Sequence, residues 1–109
     1  MAIKVFWTNF AKEQLRTIFG YYKLKASSKI AKKLVTGIVE KTIELDFQKE
    51  LGQKEELLLS RKENFRYLIY KNYKIIYWFN ESKNRIEISD IFDVRQNPIK
   101  MMDEERDIK

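Results

Sequence analysis

The side chains that could act on another molecule are few in kind. The chain has no cysteine and no histidine, which excludes disulfides, zinc sites and nucleophilic pairs built on Ser–His or Cys–His. Any chemistry falls to Lys, Arg, Tyr, Asp, Glu or Gln. Cations dominate that set, with 22 Lys and Arg against 16 Asp and Glu and a net charge of +6. Two stretches concentrate them. Between Glu13 and Glu40 there is no acid, yet Arg16, Lys23, Lys25, Lys29, Lys32 and Lys33 fall there, six charges that equal the whole excess. Such a face suits an acidic partner or a phosphate backbone. The second stretch, Phe65 to Pro98, carries Arg66, Lys71, Lys74 and Arg95 among aromatic and β-branched residues. It reads as a sheet with a cationic rim, a candidate working surface.

The elements that position these charges follow from periodicity. FRYLIY, YKIIYWFN and RIEISDIFD alternate apolar and polar residues and are separated by the turn residues KN and ESKN, the pattern of a three-stranded antiparallel meander. Lys71-Asn72 would be the first hairpin turn, with Asn72 taking the positive φ. Tyr73, Ile75, Tyr77 and Phe79 would share one face, Lys74, Ile76 and Trp78 the other. Ile86, Ile88, Asp90 and Phe92 would line one face of the last strand, and a carboxylate there needs a partner. Upstream, residues 2–7 read as a short strand, and Thr8 or Asn9 caps a helix lined by Ala11, Leu15, Ile18 and Tyr22. Ser27 or Ser28 caps a second helix, in which Ala31, Leu34, Ile38 and Leu45 keep phase, and the short joint predicts an antiparallel helical hairpin. Gly37, mid-helix, marks close backbone packing. Residues 48–64 read as a loop, and Asn97-Pro98 as a cap before a short acidic tail over residues 99–109, with Ile99, Met102 and Arg106 as its thin stripe. The whole predicts one α+β domain over residues 1–109. With neither a membrane span nor an export signal, the expected location is cytoplasmic.

The order of strand, helical hairpin, loop, meander and basic turn resembles the RelE/ParE superfamily of bacterial toxins. FRYLIYKNYKIIYWF, residues 65–79, resembles the family's double strand, and IFDVRQNP, residues 91–98, its closing strand and basic turn. Ala11, Leu15 and Gly52 fall where the family commonly has comparable residues. The resemblance implies the toxin of a type II toxin–antitoxin pair, without cofactor or metal. It implies a cognate antitoxin whose C-terminal segment wraps the hairpin and sheet, with Arg16, Lys29, Lys32 and Lys33 as its contacts, and operator DNA bound only through that antitoxin. RelE-like members cut mRNA on the ribosome, where cations stabilise the developing charge. Lys74 falls at the family's central-strand arginine and Arg95 at its basic turn. Arg61, Lys62 and Arg66 could add phosphate contacts, and Tyr67, Tyr70 or Tyr77 could stack on a base. ParE-like members poison DNA gyrase without catalysis. The acidic tail, which lacks a basic–aromatic pair, places this chain slightly nearer the second branch; since fold alone never fixes function, a non-toxic nucleic-acid-binding or adaptor module of the same fold is the remaining alternative.

Overall fold

A handful of local bonds decide where the chain turns. The computed structural model describes residues 3–102. Strand β1 (Lys4–Trp7) passes directly into helix α1 (Asn9–Lys25) because Thr8 stays extended and its hydroxyl accepts the Ala11 amide at 3.1 Å. The same hydroxyl donates to the Ile88 carbonyl at 3.0 Å, so the cap is tied to the sheet. Ser27 caps helix α2 (Ser28–Lys41) by accepting the Ile30 amide, and the two-residue joint folds the helices into the expected hairpin. Helix α2 stops about a turn early. The Thr42 hydroxyl donates back to the Val39 carbonyl at 2.7 Å, a bond that competes with helix propagation. The chain then tightens into a 3-10 turn, Ile43–Asp46, which still delivers Leu45 to the core.

The meander is present as β3 (Arg66–Tyr70), β4 (Tyr73–Asn80) and β5 (Arg85–Asp93), paired antiparallel. It forms the middle of a five-stranded sheet. A fourth antiparallel strand, β2 (Gln53–Lys54), pairs with Arg66 and Tyr67 of β3, while β1 pairs parallel with β5, giving the order β1-β5-β4-β3-β2. The stretch read as a loop therefore contributes a sheet edge and a 3-10 turn, Glu56–Leu58. At the first hairpin the positive φ falls on Lys71, at 53°, not on Asn72. The Asn72 side chain is engaged instead with Asp93 at 3.3 Å, holding the end of β5 against the turn.

One bulge redistributes the side chains of β5. Ile76 pairs with Asp90 and Tyr77 with Ile88, so Ser89 is an extra residue and the alternation expected from Ile86 to Phe92 breaks there. Ile86, Ile88 and Ile91 face the helices, where they meet Ile38, Leu45, Leu68, Tyr73, Ile75 and Tyr77 in the main core. Phe92 turns to the opposite face, joining Leu58, Phe65, Ile76 and Met101 in a second, smaller core. That face is covered by the 3-10 turns Glu56–Leu58 and Pro98–Met102. Asn97 caps the latter by accepting the Ile99 amide at 3.1 Å, but its buried residue is Met101, whereas Ile99 and Met102 are exposed. A 3-10 turn has a three-residue repeat, so the expected α-helical stripe does not form. Arg106 and the rest of the tail, residues 103–109, lie outside the described residues.

Candidate functional site

Of the four cations singled out in the sheet, Arg66, Lys74 and Arg95 are each held by an acid or a carbonyl, whereas Lys71 lies over the Tyr70 ring at 5.8 Å. Lys74, on β4, places its ammonium 2.8 Å from Glu55 Oε1 and 4.2 Å from the centre of the Tyr67 ring. Glu55 is buried at 3% exposure, and its other oxygen accepts the Leu57 amide, so the carboxylate is supported from two sides. Arg66 donates to the Gly52 carbonyl at 2.8 Å and lies 3.7 Å from Glu50. Tyr77, fully buried, accepts the Gly52 amide at 2.8 Å and donates to the Lys49 carbonyl at 3.0 Å. Burial raises its pKa above the usual phenol value. Arg66 and Tyr77 thus clamp the segment before β2.

Arg95 lies beyond β5. Its guanidinium pairs with Asp93 at 2.7 Å, and its amide also donates to that carboxylate at 2.9 Å. The hydrogen bond from Arg95 holds the Asp93 carboxyl well down, to about 2, and raises the arginine correspondingly. Beside them Tyr73 is pushed up to about 12, first by burial and then by its bond with the Tyr22 hydroxyl. A cleft of about 320 Å³ runs from this pair toward α1, lined by Gln14, Thr17, Tyr21, Tyr73 and Gln96 among others.

The expected cationic rim is not assembled. Lys74 shares the second face with Ile76 and Tyr67, while Arg95 sits with Asp93 and Tyr73 on the helix side. Each is tied to a neighbouring carboxylate. Tyr77 is not available to stack on a base, since its ring is in the main core. Arg61 is half-buried and Lys62 exposed in the turn before β3, and neither makes an ion pair among the described residues. The pairing of Arg95 with Asp93, two residues away, was open to the sequence, but the partners of Lys74 and Arg66 were not, because Glu55 and the carbonyls on Arg66 come from residues 48–64, whose fold carries no periodicity.

A second arrangement lies where α2 crosses the sheet edge. β2 covers only Arg66 and Tyr67, leaving Leu68 to Tyr70 with no strand beyond them among the described residues, and Ile69 is 48% exposed. The Tyr70 ring packs where a β-carbon on Gly37 would stand, so α2 approaches β3 as closely as glycine permits. That contact walls a cleft of about 330 Å³ lined by Tyr22, Ile30, Lys33, Leu34, Tyr70, Lys71 and Asn72. It joins an apolar floor to two lysines. Of the four residues expected to meet an antitoxin, Lys33 alone lines it. Arg16 pairs with Glu13 in mid-α1, and Lys29 and Lys32 stand at the exposed start of α2. Ile30 was not foreseen, and Tyr70 was expected to stack on a base rather than to line this cleft; Gly37 in mid-helix was the available signal.

The family profile described as the ParE toxin of type II toxin–antitoxin systems, parDE, matches residues 5–98, nearly the whole chain. The chain belongs to the ParE toxin family. No curated protein matches it. Among solved structures, a chain from the chromosomal ParDE toxin–antitoxin system of P. aeruginosa is similar at 21% identity and a TM-score of 0.71, covering 85% of this chain and 97% of its own. That likeness shows the fold alone: two helices on a mostly antiparallel sheet. No helix among the described residues is long and apolar enough to cross a membrane, and no group of His, Cys, Asp or Glu among them could hold a metal ion.

Proposed function

We propose that this ParE-family chain arrests bacterial growth by poisoning DNA gyrase, without catalysing a reaction, and that a cognate antitoxin neutralises it. The observation that carries the reading is the family match over residues 5–98. The sheet supports it. Strand-cleaving chemistry needs cations poised at a phosphate, where their charge is worth most. Here Lys74 is committed to Glu55 and Arg95 to Asp93, on different faces. Induction of the chain alone in a bacterium should halt growth, and co-expression of the adjacent gene should relieve the arrest. The purified chain should inhibit gyrase supercoiling and leave mRNA in a translation extract uncut. Cleavage of A-site mRNA with supercoiling unaffected would overturn the gyrase assignment.

For the antitoxin, the cleft between α2 and β3 favours a segment that is apolar on one side and acidic on the other. Ile30, Leu34 and Tyr70 offer the apolar surface, Lys33 and Lys71 the charges. Rim charges act mostly on association rate and salt dependence. Lys33→Glu with Lys71→Glu should therefore raise the antitoxin Kd by roughly tenfold at low salt, about 1.4 kcal/mol, and the gap should narrow as salt rises. Titration calorimetry at several ionic strengths measures it. Equal affinity for both proteins at every salt would move the antitoxin elsewhere.

A further inference from the structure

The tip of the helical hairpin carries five lysines, of which only Lys23 and Lys25, in the last turn of α1, complement a helix dipole. Lys23, Lys25, Lys29, Lys32 and Lys33 are all exposed, and none of them makes an ion pair among the described residues. Three of them, Lys29, Lys32 and Lys33, crowd the start of α2, whose first turn contains no acid. Cations at a helix N-terminus oppose the dipole, and like charges four residues apart repel. The local arrangement works against the helix that bears it. A sequence that breaks local rules without a structural return is usually meeting an external demand.

The shape of the tip indicates what that demand is. Every residue from Lys23 to Ile30 except Ser27 is exposed, and Leu24, between two lysines, is 88% exposed. This is a protruding end rather than a groove. An acidic peptide needs a trough for its apolar side chains, and the nearest, between α2 and β3, includes Lys33 alone of the five. A duplex needs no trough. It presents about one charge per 1.7 Å of axis; Lys29 stands one helical turn from Lys32 and Lys33, about 5–6 Å at the β-carbons, with Lys23 and Lys25 at the adjoining end of α1. The exposed Leu24 and half-exposed Tyr21 beside these lysines offer apolar surface that sugars could cover.

We infer that the α1–α2 tip is a binding site for the phosphate backbone of duplex DNA, independent of sequence. This goes beyond the proposed function and does not rest on it, since it concerns direct contact between the toxin chain and DNA. The test is fluorescence anisotropy of the full chain with a labelled duplex of about 20 base pairs, over a salt series from about 50 to 200 mM. The logarithm of the affinity should fall linearly with the logarithm of salt. The slope should be about −4 to −5, near −0.9 per phosphate engaged. Lys23→Gln, Lys25→Gln and Lys29→Gln together should flatten that slope by about 2.7, and the corresponding Lys→Arg changes should keep it. The same triple change at Lys4, Lys54 and Lys83, exposed elsewhere, should leave it unaltered. Circular dichroism confirms that each variant folds. Absence of duplex binding, equal losses in the tip and control variants, or tighter binding to polyglutamate than to the duplex at matched salt would each overturn the inference.

Discussion

Two residues show how this sheet uses polar groups for construction. Tyr77 reaches out of the core to hold both the Gly52 amide and the Lys49 carbonyl. Removing its hydroxyl leaves two backbone groups to find other partners, at about 1–3 kcal/mol. Tyr77→Phe should lower stability by that amount and speed hydrogen exchange at the Gly52 amide, with exchange deep in β4 following only the global loss. Asp93 makes a prediction with a definite pH window. Its carboxyl is held at about 2 by Arg95, below the unfolded value of about 3.9. A depressed carboxylate stabilises the fold above its unfolded pKa, and that stabilisation drains away as pH falls through the folded value. Wild type and Asp93→Asn should therefore differ in urea unfolding at pH 5 and converge toward pH 2. A constant difference across that range would mean that the Asp93–Arg95 pair is not the source.

At the scale of elements, α2 and β3 are joined through Gly37 and the Tyr70 ring. Gly37→Ala should cost about 1–3 kcal/mol, because the added carbon enters space the ring occupies. In a Tyr70→Ala background the same change should instead stabilise by about 0.5–1 kcal/mol, the helix preference of alanine over glycine, a coupling that a double-mutant cycle of denaturation midpoints would measure. The glycine was legible in the sequence, as were both helix caps and the meander, since these depend on near neighbours. The parts that were not legible depend on distant ones. Helix α2 ends early through a side-chain bond of Thr42, and β2 is too short, at two residues, to show alternation. The bulge at Ser89 inserts one residue, which sends Phe92 to the face opposite the one that strict alternation assigns. For the same reason Lys74 looked free: it and Glu55 are 19 residues apart, and no local pattern announces that they meet.

At the scale of the whole molecule, one sheet serves two cores. The helix side is broad, whereas the other side, around Phe65, Ile76, Phe92 and Met101, is roofed by 3-10 turns. A thinly roofed face could open on its own while the helices stay packed, because local stability follows local burial. The strands argue against that. Ile75 and Ile76 on β4, and Ile91 and Phe92 on β5, are adjacent pairs whose members feed opposite cores, so either core can loosen only by distorting strands the other needs. Met101→Ala should remove about 2–5 kcal/mol. The loss should appear in both halves, which the two tryptophans report separately, Trp7 packing on the main core and Trp78 on the second. In Trp7→Phe and Trp78→Phe backgrounds, Met101→Ala should shift the fluorescence midpoint in urea by the same amount. A shift seen through Trp78 alone would show that the second face unfolds as a separate unit.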